Sequence, residues 1–323
     1  MRPVVLAVLL SLAVPACDDD AAGEWKSMHA SPHWWMSVMA PADDDRWVVG
    51  GTTTEGVILH WDGAAMSTVH HGQVVPLLNW IHRFEDGTFV VAGNDGTILR
   101  GDGSTWEKVD TPTGSDLWGV WGSAPDDVWA VGGEASGGSD PVILRDTGDG
   151  FRRLEVPDLE RPGVGVFFKV WGSGPDDVFV VGQRGAVVHW DGEALTEQFA
   201  GTSSDLIGVW GTGPDRVVSV GGRNNAAIVL WDGVEWRSLD VGRFSGLNGV
   251  WLDGDTVHVV GNDGTVGTVD FPSGSVAFET VDTPVSLHAI NGSPDGVLTA
   301  VGGDFSTGPG GPFRGDVLER RDR

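Results

Sequence analysis

The stretch GVWGSAPDDVWAVG at residues 119–132 decides the fold, because it recurs along the chain. Close copies are KVWGSGPDDVFVVG at 169–182 and GVWGTGPDRVVSVG at 208–221, and four weaker copies share the closing glycine. These closing glycines are Gly50, Gly93, Gly132, Gly182, Gly221, Gly261 and Gly302. Seven units of about 40 residues match the period of a β-propeller blade.

Each unit has the pattern of four short strands. In the unit around residue 119, these strands fall near residues 117–121, 128–131 and 142–145, and a fourth begins at Phe151. The second strand is a continuous apolar run, which is typical of a sheet that is packed on both faces. The sequence therefore predicts an all-β, seven-bladed β-propeller of four-stranded antiparallel blades.

The two ends of the chain predict how the ring closes. The last unit ends after its third strand at residues 316–320, while EWKSM at residues 24–28 matches EWRSL at residues 235–239. We expect the N-terminal strand, at about residues 24–29, to complete the C-terminal blade. This pairing would remove an open sheet edge.

The N-terminus has the pattern of a targeting signal. Arg2 precedes a largely apolar segment at residues 4–16, which is too short to span a bilayer as a helix. Cys17, the only cysteine, follows it directly. The sequence resembles a bacterial lipoprotein signal. The resemblance implies that Cys17 is lipidated and that the protein is anchored to a membrane of the cell envelope, in a periplasmic or surface-facing position. An ordinary secretory signal is the alternative. We predict a signal peptide at 1–16, a short acidic linker at 17–22 and the propeller at 23–323.

Composition excludes several classes of function. The net charge of −26 disfavours nucleic acid as a partner, because an acidic surface repels phosphates. One cysteine leaves no internal disulfide and no zinc site of the Cys₄ or Cys₂His₂ type. The nine histidines form no zincin motif, and no complete calcium loop occurs, so we expect neither a metal nor another cofactor.

The repeated phrase is similar to the Trp- and Gly-rich propeller repeats of myxobacterial lipoproteins. More distantly, it resembles the Asp-box (BNR) repeats of sialidases and the propellers of photosystem II assembly factors. The resemblance implies a fold and no particular activity. Sialidases use a tyrosine nucleophile, and this chain contains no Tyr, so their mechanism is excluded.

Two functions remain open. We expect a non-catalytic binding or scaffold module of the envelope, tethered to the membrane only through its lipid. The alternative is an envelope carbohydrate-active enzyme, a glycosidase or lyase, that uses carboxylates at the channel mouth such as Glu55, Glu134 or Asp304.

The variable connections point to one binding face. The longest connections lie at residues 50–56, 132–141, 157–165, 221–226 and 302–315, and in a propeller all of them emerge around one mouth of the channel. Arginines are enriched there and would recognise a protein or an acidic glycan, although scattered solvated arginines are an alternative. Trp118 and His288 are also candidates, because they occupy positions that vary between repeats on the first strands, which line the channel of a propeller. The predicted binding residues are Arg161, Arg184, Arg223, Arg243, Arg314, Trp118 and His288.

Overall fold

A computed structural model describes residues 23–134, 140–308 and 310–321. They form seven four-stranded antiparallel sheets arranged as the blades of a propeller, as predicted. Strand β1 (Lys26–Ser31) belongs to the last blade. Blade 1 contains β2 (Trp34–Ala42), β3 (Asp45–Thr52), β4 (Glu55–Trp61) and β5 (Met66–Val69). Blade 2 contains β6 (Leu78–Arg83), β7 (Phe89–Gly93), β8 (Ile98–Gly101) and β9 (Trp106–Val109).

The next three blades repeat this order. Blade 3 contains β10 (Leu117–Ala124), β11 (Asp127–Gly132), β12 (Val142–Asp146) and β13 (Arg152–Arg153). Blade 4 contains β14 (Phe167–Gly174), β15 (Asp177–Gly182), β16 (Ala186–Trp190) and β17 (Leu195–Phe199). Blade 5 contains β18 (Leu206–Gly213), β19 (Arg216–Gly221), β20 (Ala227–Trp231) and β21 (Trp236–Ser238).

The last two blades complete the ring. Blade 6 contains β22 (Leu247–Asp253), β23 (Thr256–Gly261), β24 (Thr265–Asp270) and β25 (Val276–Thr280). Blade 7 contains β26 (Ser286–Gly292), β27 (Val297–Gly303), β28 (Gly315–Arg321) and β1. Short 3₁₀ turns occupy Gln183–Gly185, Asn262–Gly264 and Phe305–Thr307. In the part of the chain that the structure describes, no helix has the length and apolarity needed to cross a membrane.

The core lies between neighbouring blades. The second strand of blade 3 shows this arrangement, because Val128, Trp129, Ala130 and Val131 are all completely buried. Both faces of the strand contact apolar side chains, which accounts for the continuous apolar run in the sequence.

The repeated Trp-Gly pair joins blade 3 to blade 4 and blade 4 to blade 5. A Cβ atom added to Gly172 would lie 2.6 Å from Cη2 of Trp121 in the preceding blade. Gly211 and Trp171 are related in the same way, at 2.5 Å. Glycine is therefore needed at this position so that the indole of the neighbouring blade can pack on bare backbone.

The turns between third and fourth strands use aspartate side chains as caps. Asp102, for example, accepts hydrogen bonds from the backbone N–H groups of Ser104 and Thr105, at 2.8 and 2.7 Å. These bonds lower the pKa of Asp102, because they stabilise the carboxylate form. Asp62, Asp191 and Asp232 make the same pair of bonds. These aspartates are structural turn residues.

The ring closes through the N-terminal strand, as predicted. Strand β1 pairs antiparallel with β28, with His29 opposite Val317, and it begins and ends about two residues later than the sequence indicated. A buried arginine reinforces the closure from blade 1. Arg46 Nη1 donates to Glu319 Oε2 at 3.0 Å and to Thr299 Oγ1 at 3.3 Å, both in blade 7.

One predicted connection is wrong. Residues 50–56 form no loop, because β3 and β4 stay paired as far as Thr52 and Glu55, which leaves a two-residue turn. The glycines that indicated a loop serve close packing instead. A Cβ atom on Gly50 would overlap the carbonyl oxygen of Trp34. The variable connections are thus fewer than the sequence predicted.

Candidate functional site

A cavity of about 440 Å³ opens at one end of the central channel. It lies on the face that carries the second-to-third and fourth-to-first strand connections, which we call the loop face. All seven blades contribute to this channel cavity. Its lining residues are Trp34, Met36, Leu77, Trp118, Phe168, Lys169, Ile207, Arg223, Asn248, Asn262, His288 and Phe305.

Aromatic and aliphatic side chains predominate among the residues that line the channel cavity. The Trp34 ring lies 5.1 Å from Phe305 and 4.7 Å from Phe313, measured between centroids. The rings of Trp118 and Phe168 lie 6.4 Å apart in a T-shaped arrangement. Such a wall suits the apolar part of a ligand.

Lys169 is the buried cation of the channel cavity, with only 2% of the residue exposed. Its Nζ donates a hydrogen bond to the carbonyl oxygen of Trp118 at 2.7 Å. Nζ also lies 4.4 Å from the centroid of the Trp80 ring, two blades away. Burial lowers the pKa of Lys169 to about 7, because the charged form loses its hydration.

His288 contributes a neutral imidazole to the channel cavity. Burial and, to a smaller extent, the charge of Lys169 lower the pKa of His288 to about 4. Its Nδ1 lies 3.0 Å from the carbonyl oxygen of Met36. A carbonyl can only accept, so this contact assigns the proton to Nδ1 and leaves Nε2 as an acceptor.

Arg223 borders the mouth and is held by neighbouring groups. Its Nε donates to Asp205 Oδ2 at 2.7 Å, and its guanidinium lies 5.5 Å from the centroid of the Phe168 ring. Nearby, Asn248 Nδ2 donates to Asn262 Oδ1 at 3.0 Å, and Asn262 Nδ2 donates to the Arg223 carbonyl at 3.1 Å. These bonds fix the polar side of the mouth.

The structure brings three of the seven predicted binding residues into the channel cavity, namely Trp118, His288 and Arg223. The other four arginines lie on connections of the loop face and do not line it. Arg161 donates to the backbone carbonyls of Arg184 and Thr202, so its guanidinium holds two connections together. Arg243 and Arg314 are exposed.

None of the described residues that line the channel cavity is an aspartate or a glutamate. Glu55 and Glu134 are exposed, and Asp304 caps the turn Phe305–Thr307 by accepting from Ser306 N at 3.1 Å. In residues 23–134, 140–308 and 310–321, no group of three or more His, Cys, Asp or Glu side chains could hold a metal ion.

Two other histidines, His60 and His189, pair with aspartates away from the channel cavity. His60 Nε2 lies 2.9 Å from Asp45 Oδ1, and His189 Nε2 lies 2.6 Å from Asp177 Oδ1. Both imidazoles also stack on an aromatic ring of the same blade.

Exposed apolar side chains are concentrated on the loop face. Val74, Phe199 and Phe244 lie at or next to its connections, and 97, 74 and 41% of these residues are exposed. Val234, with 83% exposed, lies on the opposite face, in a turn between third and fourth strands. Exposed aromatic side chains are enriched where proteins bind one another.

No family model matches the chain, and neither does any curated protein. Solved structures match it over nearly its whole length. They show the β-propeller fold. YCF48 bound to D1 peptide has a TM-score of 0.64 and 14% identity, and the match covers 96% of this chain and 100% of that one. The WD40 propeller domain of Doa1 has a TM-score of 0.69 and 13% identity, covering 92 and 97%.

A third similar structure is virginiamycin B lyase from Staphylococcus aureus, with a TM-score of 0.67 and 14% identity, covering 91% of this chain and 99% of that one. The likeness to YCF48 agrees with the expected distant resemblance to photosystem II assembly-factor propellers. At these identities, the matches show a shared fold alone.

The sequence prediction missed Lys169, although the repeat contained a signal for it. The equivalent residue is glycine at positions 119, 208 and 249, so a lysine departs from the repeat on an inner strand. Asn79 shows the reverse, a position that varies between repeats without contributing to the cavity. It occupies a repeat-variable position, yet it is fully buried and donates to Asn94 Oδ1 and to the Leu117 carbonyl. Its role is structural.

Proposed function

We propose that this protein is a non-catalytic binding module that uses its loop face. The observation that carries the proposal is the channel cavity, which all seven blades line with mainly apolar side chains and to which no described carboxylate contributes. A rigid propeller that presents a cavity and variable connections on one face is built for recognition.

A protein is the partner class that the loop face supports best. Phe199 and Phe244 are exposed there and would be buried by a partner. One similar propeller, YCF48, has been solved with a D1 peptide bound, which shows that this fold accommodates such a ligand in another protein. An acidic glycan is the second partner class, but Arg161 and Arg223 already bond to groups of this chain.

The alternative enzyme would need a pair of carboxylates near the bound sugar. Glu55, Glu134 and Asp304 do not line the channel cavity, so the geometry favours binding over hydrolysis. Sustained glycan turnover that Glu134→Gln abolishes would reverse this preference.

Paired variants test the binding face. The double variant Phe199→Ser, Phe244→Ser removes two exposed rings from the loop face, and Val234→Ser is the matched control on the opposite face. After chemical crosslinking in the native envelope, the double variant should recover at least tenfold less of the main partner than the wild type. Equal recovery with the double variant, or loss with Val234→Ser, would place the partner elsewhere.

We also propose that the protein is an envelope lipoprotein of the type found in myxobacteria, tethered through Cys17. Cys17 and the predicted signal peptide lie outside the described residues, so the proposal rests on the sequence. A lipid anchor contributes about 0.8 kcal/mol of membrane affinity per buried CH₂ group. Cys17→Ser should therefore move the protein to the soluble fraction without a lipid adduct. Unchanged membrane fractionation and a mature N-terminus at another residue would contradict the tether.

A further inference from the structure

The channel cavity contains a buried lysine that has no anionic partner among the described residues. Lys169 Nζ contacts the Trp118 carbonyl oxygen and the Trp80 ring, which are both uncharged. Placing an ammonium group in an apolar interior is costly unless a negative charge accompanies it. A ligand that brings one negative charge would supply the missing partner.

The other charged or titratable groups of the channel cavity do not compete for that role. The low pKa of His288 keeps its imidazole neutral at physiological pH, and its Nδ1 proton is used by the Met36 carbonyl. Arg223 pairs with Asp205 at the mouth. Lys169 is thus the single cation among the described lining residues whose charge is unpaired.

The size and the walls of the channel cavity define the remainder of the ligand. A volume of about 440 Å³ lies in the range of small-molecule sites, which is roughly 300–1,000 Å³. Most of the other lining side chains are aromatic or aliphatic, notably Trp118, Phe168 and Ile207. A second negative charge directed at these aromatic and aliphatic side chains would have no partner there and would be disfavoured.

We propose that the channel cavity binds a small monocarboxylic acid with an apolar body. The carboxylate accepts a hydrogen bond from Lys169 Nζ, and the apolar body packs against Trp118 and Phe168 below the mouth. This site is separate from the protein contacts proposed for the loop face, because it lies inside the channel. The channel cavity also supports the proposed binding function, but titration of a small ligand and recovery of a protein partner are separate measurements, so failure of one proposal can be told from failure of the other.

Isothermal titration of the full chain tests the proposal with four defined probes: 4-phenylbutyrate, its primary amide, acetate and phenylsuccinate. We expect saturable one-to-one binding of 4-phenylbutyrate, at least tenfold tighter than the other three. The amide lacks the charge, acetate lacks the apolar body, and phenylsuccinate carries a second charge.

Two variants assign the contacts. Lys169→Met, which keeps the side-chain length, should abolish the preference for 4-phenylbutyrate over its amide. Trp118→Ala should weaken both ligands at least fivefold and keep the preference between them. The control Val234→Ser should bind as the wild type does. A thermal melt of each variant verifies that it is folded.

Several results would overturn the proposal. Equal affinity for the acid and its amide would show that the ammonium is not the anchor, and so would unchanged preference in folded Lys169→Met. Absence of binding by 4-phenylbutyrate at millimolar concentration would show that the cavity does not accept such acids. Binding by a peptide with a free C-terminal carboxylate, without binding by 4-phenylbutyrate, would assign the site to a chain end instead.

Discussion

Replacement of Lys169 by methionine should stabilise the protein at pH 6 and do so less at pH 9. In the folded chain, the ammonium group of Lys169 is buried without an anionic partner, whereas in the unfolded chain it is hydrated. Methionine has a similar length and no charge, so Lys169→Met removes the cost of burying the cation. It also leaves the Trp118 carbonyl without its donor, which reduces the gain by about 1 kcal/mol.

The magnitude follows from the pKa of Lys169, which burial lowers from 10.5 to about 7. A tenfold change in proton affinity corresponds to about 1.4 kcal/mol, so the protonated side chain destabilises the fold by about 5 kcal/mol below pH 7. Between pH 7 and 10.5 the unfolded chain binds more protons, and the stability of the wild type therefore rises with pH. At pH 9 the remaining penalty is about 2 kcal/mol.

Guanidinium chloride denaturation at pH 6 and pH 9 measures this difference. The free-energy difference between Lys169→Met and the wild type should decrease by about 3 kcal/mol as the pH rises from 6 to 9. Lys108→Met is the matched control, because Lys108 is exposed on β9, and its gap should not change with pH. A gap for Lys169→Met that is independent of pH, or a variant that is less stable at pH 6, would refute the reasoning and indicate that the ammonium has an anionic partner.

Two further changes test the contacts that hold the ring together. Gly211→Ala should lower the unfolding free energy by about 1–3 kcal/mol, because the added Cβ would lie 2.5 Å from the indole of Trp171 in the preceding blade. Gly174→Ala is the control and should be nearly neutral, because no atom lies within 4 Å of its added Cβ. Similar losses for the two variants in denaturant titrations would contradict the role of the Trp-Gly pair. Glu319→Ala should lower the unfolding free energy by about 3 kcal/mol, because it leaves buried Arg46 without its carboxylate, whereas Glu279→Ala at a more exposed ion pair should lower it by less than about 1 kcal/mol. An equal loss in thermal melts would contradict the role of Arg46 in reinforcing the ring closure.

The fold could be predicted from the sequence because each blade solves the same packing problem with the same residues. The phrase around Trp121 and Gly122 recurs in blades 4 and 5, where the indole of the preceding blade packs on the bare backbone of Gly172 and Gly211. The strand count at the two ends then determined how β1 pairs with β28. The prediction failed at residues 50–56, because a glycine that permits close packing and a glycine that permits a loop look alike in a sequence.

The candidate site could be predicted only in part. Trp118 and His288 line the channel cavity because the backbone of the inner strands places them there. Arginines on connections are different, since the position of a long side chain depends on the partners that it finds. Arg161 reaches carbonyl groups of its own face, and Arg223 reaches Asp205. These contacts could not be inferred from spacing along the chain.

The departures from the repeat carry more functional information than the repeat itself. Glycine at positions 119 and 249 lets neighbouring inner strands approach closely, since an added Cβ atom on Gly119 would lie 2.9 Å from the Lys169 backbone. Lys169 and Trp80 replace that glycine in two other blades, and their side chains meet within the channel, with 4.4 Å between Nζ and the ring centroid. A scaffold position that holds glycine, serine or alanine in the other five blades thus supplies a lysine and an aromatic ring to one place. Their meeting point in the channel is where we expect the ligand of this protein to be selected.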